Sequence, residues 1–316
     1  MHDANLRDTA ALWGLTFEAT LPGMPIQGSP ERCLDRVVIR TDAGPFLLEE
    51  LSRESVPRKS VLARRLTHLA GAGLAVAAPV SGRDGRLVQS RNGKFWQLSP
   101  YVPGIELDRD TYWREAWRGE AMALYLADMH RAARGMNLDE PPFDMAAYAR
   151  RIEADTRRLH PRIHDRLVQA FATLHRGLAE CGHLPVVFSH GDPHPLNVIW
   201  GEDRILAAID WEFCGPKCAL YDMALVLGCV GSEGEGALDG PLAQAFLRTL
   251  RSEGLLGKEM EAHLPTWILA LRTAWLAEWL RRGDTEAAEF EVFYMELLSG
   301  RVFARERTDQ PSASLI

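Results

Sequence analysis

The C-terminal two-thirds of this chain reads as helix with a single interruption, and that interruption constrains the fold more than any other feature. Apolar residues recur at helical spacing through Trp113–Ala133, Ala146–Leu159 and His164–Glu180. Leu184–Asp192 (LPVVFSHGD) then reads as a short strand running into a loop. Asn197–Trp200 (NVIW) and Arg204–Asp210 (RILAAID) read as the strands of a hairpin that turns at Gly201-Glu202-Asp203. A strand, a loop bounded by Gly191 and two prolines, and a hairpin, all set among helices, hold polar side chains at the ends of rigid elements.

The first hundred residues have a different texture. Arg32–Arg40 has a strand-like apolar centre, Thr41–Gly44 is turn chemistry and Pro45–Leu51 resumes an apolar run, so the three read as a hairpin. Lys59–Leu74 carries Val61, Leu62, Leu66, Leu69 and Ala70 on one helical stripe and ends at Gly71 and Gly73. Gly85–Ser90 and Lys94–Val102 read as strands joined by the turn signal Arg91-Asn92-Gly93. Pro103-Gly104 breaks this pattern. The expected fold is α+β and bilobal. A small β-rich N-terminal lobe, residues 1–102, precedes a larger, mainly helical C-terminal lobe, residues 103–316, with a cleft between them.

Composition removes several function classes. A net charge of −7, from 36 basic and 43 acidic residues, argues against a nucleic-acid backbone as the partner. No run approaches the ~18 apolar residues of a membrane span. Met1–Gly14 is polar and has no signal-peptide core. The five cysteines are scattered, and only Cys214 and Cys218 are close; no second pair or histidine cluster completes a zinc pattern. Reduced thiols in a cytoplasmic protein are expected. Gly231–Gly240 reads as a loop.

The interrupting segment also carries the candidate chemistry. Asp192 stands just past a strand in the rigid loop. Asn197 opens one hairpin strand and Asp210 closes the other, so the hairpin brings an amide oxygen and a carboxylate together at one end. Two hard oxygen ligands, completed by water and phosphate oxygens, are the usual way to hold Mg²⁺. A separate aspartate that orients a hydroxyl and takes its proton completes a phosphoryl-transfer site.

His190-Gly191-Asp192 followed by Asn197, and Ile209-Asp210-Trp211-Glu212, resemble the HGDxxxxN and IDxE signatures of the aminoglycoside phosphotransferase and choline kinase superfamily, whose members resemble protein kinases in fold. Phe95–Asp108 resembles the inter-lobe hinge, Leu126–His130 (LADMH) the helix that ends before the catalytic insert, and Leu220–Ala224 (LYDMA) the helix carrying a buried aspartate. The resemblance covers about residues 25 to 300. It implies ATP as co-substrate and Mg²⁺ as cofactor. Asp192 would be the catalytic base, and Asn197 and Asp210 the metal ligands. His190 would brace the loop, Asp222 would anchor it, and His194 would pack within it. Adenine would bond hinge backbone around Ser99, Tyr101 and Val102. The phosphates would meet backbone N–H groups at Gly28 and Ser29, in a stretch that reads equally well as a surface turn.

One position departs from the family. Kinase-like folds place a lysine on the third strand, paired with a glutamate on the next helix. Here the strand reads Leu48-Glu49 and the helix carries Arg64 and Arg65, as if the signs were exchanged. A reversed pair of Glu49 with Arg64 or Arg65 would bring a guanidinium to the phosphates. Arg40, Arg53, Arg58 and Lys59 are the other cations in this stretch.

For the acceptor, Trp275 and Trp279 lie four residues apart on one helical face. They read either as an aromatic wall for an amine or as core packing. Glu212 would line the mouth of the acceptor site or form a structural ion pair. The expected activity is transfer of the γ-phosphoryl group from ATP to a hydroxyl of a small polar metabolite: an amino alcohol, an aminoglycoside-like or homoserine-like compound, or a sugar. The alternatives are a Ser/Thr protein kinase of the same fold, or an inactive pseudokinase that serves as a binding module. Neither a nucleic acid nor a membrane is expected as a partner.

Overall fold

The computed structural model of the chain describes residues 3–308. The chain divides into two compact units at several crossings rather than at one point near Val102. The first comprises residues up to Asp108, Tyr125–Asn137 and Pro195–Cys214. The second comprises Arg109–Leu124, Leu138–His194 and residues from Gly215 onward.

The chain begins with helix α1 (Asp3–Ala10), strands β1 (Phe17–Thr20), β2 (Asp35–Thr41) and β3 (Gly44–Leu51), helix α2 (Val56–Gly71), and strands β4 (Gln89–Arg91) and β5 (Lys94–Pro100). The five strands form one antiparallel sheet in the order β1-β2-β3-β5-β4. The expected strand at Gly85–Ser90 shrinks to Gln89–Arg91. Its turn to β5 uses Asn92 and Gly93, both at positive φ (51° and 76°), as a tight hairpin with right-handed twist requires.

Alternation along the strands divides the sheet's two faces. Ile39, Leu48, Trp96 and Leu98 point to one face and pack with Leu6, Ala10, Trp13 and Phe17 as a core. Leu47, Glu49, Gln97 and Ser99 point to the other and line a cavity.

Helix α2 starts three residues before the point that the apolar pattern indicates. Pro57 occupies its first turn, where a missing N–H breaks no helical hydrogen bond. Its buried stripe is Lys59, Ala63, Leu66 and Leu69, while Val61 is 39% exposed. The early start places Lys59 inside the helix and on its inward face.

After α3 (Ala116–Ala132), α4 (Met145–Leu159) and α5 (Pro161–Ala179) comes β6 (Val186–Ser189), then the hairpin β7 (Val198–Trp200) and β8 (Ile205–Ala208), and β9 (Gly215–Cys218). Helices α6 (Leu220–Gly231), α7 (Pro241–Ser252), α8 (Lys258–Arg282) and α9 (Thr285–Thr308) close the chain. The hairpin belongs to the first unit, where Ala208 bridges Val76 and Trp200 bridges Ile105.

In the second unit β6 pairs antiparallel with β9, Val186 opposite Cys218 and Ser189 opposite Gly215. The helices pack around α8, which contacts α4, α5, α6 and α9. Within this core Arg272 and Glu291, 4% and 0% exposed, form a two-pronged ion pair of 2.6 and 2.5 Å. No helix among the described residues is long and apolar enough to cross a membrane.

Candidate active site

The foot of the β7–β8 hairpin sets the polar centre of the first unit. The Ile209 N–H donates to the Asn197 carbonyl at 2.9 Å, which holds Asn197 beside the start of the Ile209-Asp210 segment. Asp210 then turns into the left-handed region, φ 61°, a conformation that aspartate tolerates better than most residues. Asn197 is buried. One amide oxygen and one carboxylate are hard donors suited to a Mg²⁺- or Ca²⁺-like cation that keeps open positions for water and phosphate, so the residues present fit such an ion.

The Gly28-Ser29 stretch lies directly on this centre. The Ser29 N–H donates to Asp210 Oδ2 at 3.0 Å. Gly28 has φ +85°, and a Cβ there would stand 3.1 Å from Asp210 Oδ1. Glycine therefore meets both a backbone and a space requirement at this position. Arg36 of β2 fixes the loop from the side, donating to the Gly28 carbonyl at 2.9 Å and to the Gln27 carbonyl at 3.3 Å.

The cavity in this unit has two ends. Leu47, Leu66, Ala77, Ile199 and Ala208 make an apolar slot beside Ser99, Tyr101 and Val102 at the end of β5. Ser29, Arg36, Glu49, Lys59, Asp210 and Glu212 make a charged end. Apolar walls and charged groups around Asp210 in one cavity suit the two halves of a nucleoside triphosphate.

The charged end departs from the arrangement that the sequence suggests. Glu49 faces the cavity from β3, at the position where kinase-like folds carry lysine. Loss of hydration raises its pKa, Lys59 and Arg36 pull it down, and Glu212 opposes them. Arg36 is its cross-strand neighbour. Cys33 also contacts Glu49, and its thiol is pushed up to about 11 by burial and by that carboxylate.

The helix cation at the cavity is Lys59, not Arg64 or Arg65. Lys59 Nζ lies 2.5 Å from Glu212 Oε1, with both side chains under one-tenth exposed. At 100° per residue, Lys59, Leu62 and Leu66 share one face of α2 and line the cavity. Arg64 and Arg65 lie off that face. Arg64 is exposed, and Arg65 donates to the Cys214 carbonyl at 3.2 Å. Arg40 and Arg53 are exposed and outside the lining, and Arg53 lies over the Phe95 ring. Arg58 reaches the Glu212 carbonyl from the solvent side. Glu212 is thus engaged with α2.

The His190–Asp192 loop belongs to the second unit. Asp222 on α6, 2% exposed, accepts the N–H groups of His190 and Gly191 at 2.7 and 2.9 Å. Gly191 has φ +88°, and the Asp192 N–H donates to His190 Nδ1 at 3.2 Å. Burial raises the Asp222 pKa to about 6, although the two N–H groups and Lys217 hold it down. His190 is fully buried and Asp192 partly exposed. His194 Nε2 stands 3.7 Å from Asp192 Oδ1, and the His194 ring meets Trp275 edge-on. Trp275 stacks on Trp279, their ring centres 5.9 Å apart, and both are half-buried. Asp192, His194, Trp275 and Trp279 therefore form one continuous series of contacts.

The sequence reading did not single out Arg36. Its signal was there: Arg36 lies opposite Glu49 once the tight β2–β3 hairpin is drawn.

The family model described as phosphotransferase enzyme family matches residues 34–256. The homoserine kinase of Methylobacillus flagellatus is 27% identical over 285 residues, 85% of each chain. That of Phenylobacterium zucineum is 27% identical over 238 residues, covering 72% of this chain and 70% of the relative. Among solved structures, the amicoumacin kinase hAmiN, in complex with AMP-PNP and Ca²⁺, superposes with a TM-score of 0.67 at 15% identity, covering 95% of this chain and 94% of that one. At that identity the likeness carries the fold, which is the expected α+β protein-kinase-like one.

Proposed function

Because this chain belongs to the phosphotransferase enzyme family, whose reaction places phosphate on hydroxyl groups, we propose that it uses ATP with Mg²⁺ and delivers the γ-phosphoryl group to a small amino alcohol of the homoserine type. The observation that carries the nucleotide half is the two-ended cavity of the first unit, with Asp210, Lys59 and the Ser29 N–H at its charged end. The acceptor half draws on the named relatives and on Trp275 and Trp279, which connect to Asp192 through His194.

In this reading Asn197 and Asp210 hold the divalent ion, which when bound neutralises charge on the phosphate oxygens. Ser99, Tyr101 and Val102 seat the base, and the Gly28–Ser29 turn, whose Ser29 N–H engages Asp210, adjoins the phosphates. Asp192 orients the acceptor hydroxyl and takes its proton, while Asp222 holds the backbone that carries Asp192. Trp275 and Trp279 face the acceptor. No disulfide joins the five cysteines among the described residues, in keeping with a cytoplasmic location.

The test is release of ADP from Mg·ATP with L-homoserine, choline, ethanolamine and an aminoglycoside offered separately. Release that depends on an amino alcohol supports the proposal. ADP release that no small acceptor stimulates, with phosphate appearing on protein instead, replaces it with the protein-kinase reading.

A further inference from the structure

We infer that Lys59 of helix α2 is the cation that grips the nucleotide phosphates in this chain, a role that kinase-like folds give to a strand lysine, and that Glu49 on β3 is the acid of a pair whose two members have exchanged elements. The inference rests on the reading that the first unit's cavity takes Mg·ATP.

Three observations lead to it. First, Glu49 projects into the cavity from β3. The unbroken β2–β3 and β3–β5 registers, with Glu49 opposite Arg36 and Gln97, fix that direction. An acid there repels phosphate, so a cation must come from elsewhere.

Second, Lys59 is a cavity-lining lysine that is only 7% exposed. A buried ammonium needs a partner, and Glu212 supplies one at 2.5 Å. Glu212 stands two residues after Asp210, and Lys59, Asp210 and Glu212 line the same cavity. A cation on this wall of the cavity would neutralise charge on the phosphates of a bound nucleotide. An ammonium has three donors and can keep Glu212 while it takes a phosphate oxygen.

Third, the other cations near the cavity are less suited. Arg32, which also lines it, has its guanidinium over the Phe213 ring. Arg36 has its guanidinium on the loop carbonyls of Gly28 and Gln27. Arg58 approaches Glu212 from solvent, with its side chain 63% exposed. Arg64 and Arg65 lie on other faces of α2.

The exchange keeps the physics of the usual arrangement. A strand and a helix still contribute opposite charges across the cavity, and Lys59 is the largest favourable charge felt by Glu49. The added element is Glu212, which holds the ammonium in place when phosphate is absent.

The experiment is Mg·ATP binding by calorimetry, with ATP KM and kcat, on the full chain. Lys59→Met should weaken Mg·ATP binding by about ten- to a hundredfold, as expected for loss of a charge-assisted contact, with the circular dichroism spectrum unchanged. Lys59→Arg should keep most of the affinity. The double variant E49K/K59E, which returns the lysine to the strand, should regain affinity that K59E alone lacks. If Lys59→Met does not fold, the last two variants decide. A Lys59→Met protein that binds Mg·ATP like the wild type makes Lys59 a purely structural partner of Glu212 and overturns the inference. So does a folded E49K/K59E variant that binds no better than K59E, or a loss confined to Arg64→Ala or Arg65→Ala. Wild-type protein that binds no Mg·ATP removes the nucleotide reading itself, and the inference with it.

Discussion

The carboxylate of Asp222 accepts the backbone N–H groups of two consecutive residues, His190 and Gly191, at 2.7 and 2.9 Å. A single buried side chain thus fixes the backbone immediately before Asp192. Asp222→Ala leaves two buried donors without an acceptor and should cost about 2–4 kcal/mol of stability, read by urea unfolding. The pH dependence has a definite sign. The Asp222 carboxyl titrates near 6 in the folded chain, against 3.8 ordinarily. Its ionised form therefore weighs against folding above pH 6. That burden lifts as pH falls through 6 towards 4, because the folded state binds the proton more readily. Wild-type stability relative to Asp222→Asn should rise between pH 7 and pH 5. A difference that stays flat or falls over that interval would contradict the burial argument.

Asp192 is held by this backbone, and in the proposed reaction it takes the acceptor's proton. Asp192→Asn preserves size and removes the proton acceptor. Turnover should fall by about 10²–10⁴-fold, the usual contribution of a positioned base, while ATP KM and the unfolding midpoint stay close to wild type. Wild-type turnover in this variant would remove Asp192 from the chemistry.

The groups most easily recognised in the sequence are those whose role depends on local spacing. Asn197 and Asp210 belong to one hairpin, and Asp192, His190 and Asp222 to a strand, a loop and a helix whose apolar patterns are clear. The helix cation at the cavity, Lys59, was harder to recognise because it depends on where α2 begins. An apolar pattern that begins at Lys59 leaves that residue at the helix start, whereas α2 begins at Val56 and carries Lys59 on its buried face. Pro57 carries the correct boundary, since proline suits a first turn. The division of the chain was not legible for a different reason. The β7–β8 hairpin joins the first unit through bridges to Val76 and Ile105, contacts about a hundred residues apart in sequence that no local pattern encodes.

The Arg272–Glu291 pair has a role that neither residue's sequence neighbourhood shows. Both side chains are buried, and Arg272 also donates to the Gly228 carbonyl on α6. Glu291→Gln leaves an uncompensated guanidinium and should destabilise by about 3–5 kcal/mol. Replacing both partners, as R272M/E291L, should recover most of that loss, because the pair's desolvation cost disappears together with its attraction. Thermal unfolding of the two variants checks this. A double variant no more stable than the single one would mean that the pair, rather than the burial of matched groups, holds α8 to α9.

Trp275 reaches Asp192 through His194 and is half-buried. Trp275→Ala should raise the acceptor KM by about tenfold, the scale of one lost cation–π or stacking contact in a shielded site, and leave ATP KM unchanged. An equal rise in both constants would mark the tryptophan as a packing residue.

Asp210 gives the most direct test of the metal. The Ser29 N–H on its carboxylate needs an acceptor, and the left-handed backbone at φ 61° favours Asp or Asn. Asp210→Asn keeps both features and removes one negative charge, so the ligand-free protein should unfold within about 1 kcal/mol of wild type. Mg·ATP at a hundred times its dissociation constant adds about 2.7 kcal/mol to a protein that binds it only when folded. In wild type that gain should require the divalent ion and vanish with EDTA. In Asp210→Asn most of it should be missing at the same concentrations. A metal-dependent gain of wild-type size in the variant would place the cation on other oxygens and release Asp210 from the site.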